Sequence, residues 1–327
     1  MRSLASVRPP HEPATGCQIL VKAEHMNPGG SVKDRAALKL LRQAEARGQL
    51  KPHTGQCIVE GTGGNTGIAL AMLGTSLGYK TIFAMPEKTS RDKSNLMELF
   101  GAETHRQPAV PFNDEQHYYQ VIRRLAQQEG NFGPDQFENT DNAAAHREGT
   151  GPEIWRQTRG RIDGFTCASG TGGTMAGVSS YLKGRNSKIA VWLTDPMGSG
   201  LAAYVNHHDT SFPASGSTVA EGVGITRLTN NFKEARVDGA FKGTDEEAIT
   251  MMYYLARHEG LYVGPSAALN VVGAIKLARK LGPNKCVVTV LCDTGDRYRA
   301  TVYNEAWLKE HNLAPKQVSR GDMSFVL

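Results

Sequence analysis

Short apolar runs alternate with amphipathic stretches along most of the chain. Runs of strand length lie at 18–24 (QILVKAE), 57–61 (CIVEG), 81–86 (TIFAMP), 164–169 (GFTCAS), 190–196 (AVWLTDP) and 286–293 (CVVTVLCD). Helical spacing of apolar residues recurs at 32–47, 66–77, 91–100, 113–129, 174–183, 245–259 and 266–281. Alternation on this scale predicts parallel sheets covered by helices on both faces. The near-continuous apolar character of the strands suits sheets buried on both sides. Thr244 with Glu247 three residues on predicts a capping box for the 245–259 helix, which should stop near Gly260. Pro265 and Gly282 frame the next helix as a first-turn proline and a terminal glycine. The polar Gly/Ser-rich stretch at 196–220 reads as surface loop with room for one short helix.

The chain has 327 residues, too many for one small core, so one large domain or two intimate ones is expected. The net charge of +5 is scattered, and no Lys/Arg run interleaves with aromatics, which argues against nucleic-acid binding. No apolar run approaches the roughly 20 residues of a membrane span. Cys17, Cys57, Cys167, Cys286 and Cys292 have no C-x-x-C spacing and no histidine pair has ligand spacing, so no metal site is expected. Three of these cysteines sit in strand-like runs and read as buried thiols of a reducing compartment. A cytoplasmic location follows, with a mitochondrial one as the alternative: the first eleven residues, MRSLASVRPPH, hold two arginines and no acid but form no apolar helical face.

Several loops could carry chemistry. In NPGGSVKDRAALKL (27–40), Ser31 can cap a helix with Asp34 as the matching acid. Ala36, Ala37, Leu40, Leu41 and Ala44 then form its buried stripe, and Lys33 points along it. Burial and the positive end of the helix dipole both disfavour an ammonium, as a nucleophilic Schiff-base lysine requires. From this stretch alone, a lysine with its stem on the protein and its head in water is the stronger reading. EGTGGNTG (60–67) and SGTGGTMAG (169–177) each place glycines between a strand and a helix, where free amides suit an anion. Neither matches G-x-G-x-x-G, and neither is a P-loop. Each alone could be a structural turn, EGVGIT (221–226) could be simply a loop, and Ser266 could be no more than a helix cap.

Their joint order is more telling. Lys33 in N-P-G-G-S-V-K-D-R is followed by G-G-N-T-G, Q-F-x-N near 136, T-G-P-E-I-W, G-T-G-G-T, E-G-V-G and a serine at a helix start. Over about residues 14–305 this resembles the cysteine synthase and cystathionine β-synthase family, fold type II enzymes dependent on pyridoxal phosphate (PLP). The resemblance implies an α/β, tryptophan synthase β-like fold of two three-layer αβα domains with mostly parallel, twisted central sheets. It implies a large cofactor domain from 1–26 and 146–327, a smaller mobile substrate domain from 27–145, and PLP in the cleft between them. It implies a homodimer whose partners are otherwise small molecules, an amino-acid substrate and a small nucleophile.

The resemblance also implies roles. Lys33 would hold PLP as a Schiff base and shuttle the α-proton. Asn65 would bond the cofactor's ring oxygen, Gly170, Thr171, Gly172, Gly173 and Thr174 its phosphate, and Ser266 would face its pyridine nitrogen. Thr62, Gly63, Gly64, Thr66 and Gln136 would hold the substrate carboxylate, with the backbone of Gly222 near its amino group. A neutral serine at the ring nitrogen makes a weaker electron sink, which favours prompt loss of a β-substituent. The implied reaction is a β-replacement on activated L-serine: O-acetyl-L-serine plus sulfide gives L-cysteine and acetate through an aminoacrylate. Other donors or nucleophiles (cystathionine, cyanoalanine or diaminopropionate type), dehydratase-like elimination and an inactive PLP-binding paralogue are the alternatives.

Three departures bear on specificity, and a fourth, at the N-terminus, on the dimer interface. Where many members read P-T-S-G-N-T, Gly61 and Gly63 replace Pro and Ser, and Gly63 removes a hydroxyl close to the reacting β-carbon. Ala267 and Ala268 follow Ser266 where a glycine is usual. Thr226 stands where glycine is common. RSLASVRPP replaces the usual first-strand motif.

Overall fold

The computed structural model describes residues 4–7, 15–111 and 114–327, so of the stretch 1–11 only 4–7 are among the described residues. Ten strands run in chain order: β1 (Leu4–Val7), β2 (Gln18–Ala23), β3 (Cys57–Gly61), β4 (Lys80–Pro86), β5 (Glu103–Gln107), β6 (Asn131–Phe132), β7 (Gly164–Cys167), β8 (Ala190–Pro196), β9 (Gly239–Gly243) and β10 (Cys286–Leu291). Two compact units emerge. One runs to Val32 and resumes over Ala143–Leu327; the other is Lys33–Asn142.

The Lys33–Asn142 unit holds a four-stranded parallel sheet in the order β5-β4-β3-β6. The period-two rule sends alternate side chains to opposite faces. Ile58 of β3 and Phe83 and Met85 of β4 join Leu41, Ile68 and Met97 from the helices Lys33–Ala46, Asn65–Leu77 and Arg91–Leu99. Cys57, Val59 and Ala84 point the other way and meet Ile122 of the helix Tyr118–Ala126. That helix is shorter than the expected 113–129, and residues 112 and 113 lie outside the described residues.

The larger unit holds six strands in the order β1-β2-β10-β7-β8-β9, parallel except for β1. The divergent N-terminal stretch thus supplies an antiparallel edge strand, Leu4–Val7 against Ile19–Lys22. In β10, Val287 and Leu291 face the core built on Val271, Val272 and Leu277, while Val288 and Val290 face Met175, Val178 and Leu182. Helices therefore cover both faces: Pro265–Leu281 and Asp245–Tyr254 one, Gly173–Arg185 the other. Thr244 and Glu247 form the expected capping box. The last turn of that helix widens into a π turn at Leu255–Glu259 before left-handed Gly260 ends it. The short helix in the Gly/Ser-rich stretch is Leu201–His207.

Candidate active site

The loops 170–172 and 62–64 follow the C-terminal ends of the parallel strands β7 and β3, the usual ligand-binding edge of such sheets. In the larger unit, β7 leads through Ser169 into Gly170–Gly172 and the helix Gly173–Arg185. A Cβ at Gly170 would lie 2.3 Å from the backbone oxygen of Gly222, so only glycine lets these two loops touch. The amide of Gly224 donates to the Ser169 carbonyl at 2.8 Å and secures that contact. Gly172 takes φ +92°, and a Cβ there would sit 2.5 Å from the Phe232 amide nitrogen. Gly172 is also the N-cap of the following helix and gives it no side-chain cap, which leaves the first-turn amides for an anion.

The hydroxyls of this loop are set from behind. Thr229 donates to the Thr171 carbonyl at 2.8 Å. His146, 1% exposed, places Nε2 3.2 Å from the Thr174 hydroxyl and Nδ1 2.9 Å from that of Thr150. His146–Thr150 forms a π turn, a distortion frequent at functional sites. Ser266 is buried in the first turn of the helix Pro265–Leu281, whose N-cap, Gly264, also lacks a side-chain cap. One turn on, fully buried Asn270 accepts from the Ala168 amide at 2.6 Å and donates to the Val290 carbonyl at 2.8 Å. The same side chain thus ties the helix carrying Ser266 to the strand exit that feeds residues 170–174.

In the Lys33–Asn142 unit, β3 passes through Glu60 into the loop Gly61–Gly64 and the helix Asn65–Leu77. Gly64 is its N-cap and again offers no side chain to the first-turn amides, while Asn65 opens the helix half-buried. The Thr62 amide donates to the Ala84 carbonyl at 2.9 Å, and the Thr62 hydroxyl accepts from the Gly64 amide at 3.3 Å. Buried Thr66 donates to Gln136 Oε1 at 2.6 Å, joining two positions 70 residues apart. Asn142 fixes Gln136 through its carbonyl at 2.8 Å. Lys33 is half-buried and is the first residue of the helix Lys33–Ala46, which begins one residue later than expected. Its helix buries Ala36, Ala37, Leu40, Leu41 and Ala44, the expected stripe. Ser31 lies one residue farther from the helix than a cap and bridges Asp293 instead.

Glu60 escaped the sequence reading. It is fully buried beneath the Gly61–Gly64 loop, and burial, with the nearby charge of Asp135, pushes its carboxyl up to about 8. Backbone amides of Gln136, Asp135 and Gly61 oppose that rise. Glu60 thereby links the Gly61 turn to the strained Asp135–Gln136 turn, where Asp135 has φ +51°. His146, Asn270 and Ser169 were likewise missed. Among the departures, Ala267 and Ala268 are fully buried in the core, and Thr226 is exposed.

A family profile described as "Pyridoxal-phosphate dependent enzyme" matches residues 7–293. The chain belongs to this family. It is 47% identical to the cysteine synthase of Dictyostelium discoideum over 322 residues, covering 96% of this chain and 84% of the relative. It is 45% identical to cysteine synthase 2 of Schizosaccharomyces pombe, covering 94% and 83%. Among solved structures, the O-acetylserine-dependent cystathionine β-synthase of Helicobacter pylori superposes with a TM-score of 0.83 at 32% identity, covering 93% of this chain and 96% of that one. An O-ureido-L-serine synthase gives 0.84 at 29%, covering 94% and 96%. The fold is that of the fold type II PLP enzymes.

The residues present fit the phosphate of this cofactor. The Ser169 hydroxyl is buried with no hydrogen-bond partner among the described residues, at the mouth of a loop whose glycines leave no room for side chains. Uncapped amides and the hydroxyls of Thr171 and Thr174 complete an anion cradle. Among the described residues no group of acids, histidines and cysteines could hold a metal ion.

Proposed function

We propose that the protein is a cysteine synthase, converting O-acetyl-L-serine and sulfide to L-cysteine and acetate. The observation that carries this is the near-full-length identity of 47% and 45% to two cysteine synthases, against 32% and 29% to structures named for other products. Bound PLP supplies an electron sink that lets the substrate's α-proton and β-substituent leave. In this proposal the Gly170–Thr174 loop holds the phosphate with help from Ser169, Ser266 faces the ring nitrogen as a neutral partner, and Asn65 bonds the ring oxygen. Lys33 holds the cofactor's aldehyde through its amine and carries the α-proton. Thr62, Gly63, Gly64, Thr66 and Gln136 receive the substrate carboxylate, and Gly222 lies near the amino group.

The same proposal includes a homodimer in the cytoplasm. Five free cysteines, of which Cys17, Cys57 and Cys167 are buried while Cys286, expected to be buried, is half-buried, suit a reducing compartment. No helix among the described residues is long and apolar enough to cross a membrane.

Absorbance of the purified protein tests the reading. A visible cofactor band should shift on adding O-acetylserine and return on adding sulfide, with cysteine as product. Lys33→Ala should abolish both the band's response and turnover. A protein without a visible band would refute PLP dependence, and pyruvate release without a nucleophile would refute replacement in favour of elimination.

A further inference from the structure

By the resemblance, Gly63 lacks a serine hydroxyl that many members carry at this position, and the structure places the Thr89 side chain in the vacated space. A Cβ built on Gly63 would lie 2.4 Å from Cγ2 and 2.7 Å from Oγ1 of Thr89, and 3.1 Å from Cβ of Met85. Thr89 side-chain atoms therefore occupy the volume that a serine at 63 would enter. Thr89 follows β4, the strand next to β3, so both loops leave the same end of the sheet. Its backbone is anchored: the Thr89 amide donates to the Pro86 carbonyl at 2.9 Å, and Arg106 donates to the Thr89 carbonyl at 2.8 Å. Arg106 also donates to the Glu87 carbonyl at 2.7 Å and to the Ser94 hydroxyl at 2.9 Å, so one guanidinium braces the whole turn. The Thr89 side chain itself is half-buried and makes no hydrogen bond to another described residue. A braced backbone carrying an uncommitted hydroxyl against a substrate loop is the arrangement of a ligand donor.

We propose that Thr89 is a substrate-binding residue, its hydroxyl replacing the one absent from Gly63 and donating to the amino-acid substrate held by the Thr62–Thr66 loop. This rests on the reading of that loop as the carboxylate receptor of a PLP enzyme. The pairing also explains why glycine is tolerated at 63: a side chain there and Thr89 compete for one space.

Steady-state kinetics of the holoenzyme test the assignment. Thr89→Val keeps the shape and removes the hydroxyl. It should raise KM for O-acetylserine about tenfold, the scale of one hydrogen bond to a charged group, and leave KM for sulfide and the visible cofactor band as in the wild type. Thr89→Ser should return KM to within about twofold of wild type. In a Thr89→Ala background, Gly63→Ser should lower the raised KM again by restoring a hydroxyl from the loop side. Unchanged KM in Thr89→Val, or no rescue by Thr89→Ser and Gly63→Ser, would overturn the assignment while the normal band leaves the PLP reading standing. A wild-type protein with no visible band would overturn the parent reading, and this inference with it.

Discussion

Replacing Glu60 by glutamine removes a titration that the structure makes costly. The carboxyl is fully buried, and burial together with the Asp135 charge raises it to about 8 from an ordinary value near 4.5. Below pH 4.5 it is protonated in both the folded and the unfolded chain and contributes nothing to the pH dependence. Between 4.5 and 8 the folded protein holds a proton that the unfolded chain has released, so stability falls as pH rises through that window. Above 8 both states are ionised and the loss is complete. The gap between the two values is worth at most about 5 kcal/mol, at about 1.4 kcal/mol per pH unit. Glu60→Gln abolishes this term. Urea denaturation of wild type and variant at pH 5, 7 and 9 should therefore show the stability difference shifting in the variant's favour by several kcal/mol between pH 5 and 9. Activity should follow, because ionised Glu60 puts a negative charge under the turn that presents Gln136. KM for O-acetylserine should climb above pH 8 in the wild type and climb less in the variant. Parallel pH profiles for the two proteins, in stability and in KM, would refute the reasoning.

Two further substitutions address the larger unit. Gly172→Ala forces a side chain into a left-handed conformation, at about 1–2 kcal/mol, and against the Phe232 amide 2.5 Å away; the purified variant should retain far less cofactor, measured by visible absorbance per protein. Asn270→Ala strips the buried Ala168 amide of its partner. It should lower stability by about 1–3 kcal/mol in denaturant melts and weaken cofactor retention, through the strand exit it no longer holds.

The elements most legible in the sequence were those whose burial is two-sided or strongly periodic. β3 and β8 open on apolar runs and the helix Lys33–Ala46 carries a periodic apolar stripe, and each lies within a residue of its expected bounds. β5, with the sequence ETHRQ, was not expected, because it is an edge strand with no fully buried residue and so has no apolar run to betray it. β9, GAFKG, is an edge strand of the six-stranded sheet and is bracketed by glycines that read as turns. The helical run through His146 and Thr150 contains Gly149, Gly151 and Pro152, all breakers by local rules, and it persists because its π turn and the Thr174 contact are supplied by tertiary packing.

The site divides along the same physical line. Glycine loops at strand ends are local features, and their order along the chain was enough to suggest a phosphate cradle and a carboxylate loop. The residues that set those loops act across long sequence separations. Asn270 reaches back 102 residues to Ala168, and Glu60 faces amides some 75 residues away. Thr89 lies 26 residues from the glycine whose space it fills. No spacing rule marks such partners, because each is chosen by where the sheet brings two strand ends together. A glycine in place of serine at 63 therefore reads as a lost hydroxyl in one dimension and as an exchanged one in three. The Thr89→Val and Gly63→Ser pair separates those two readings by a change in KM for one substrate alone.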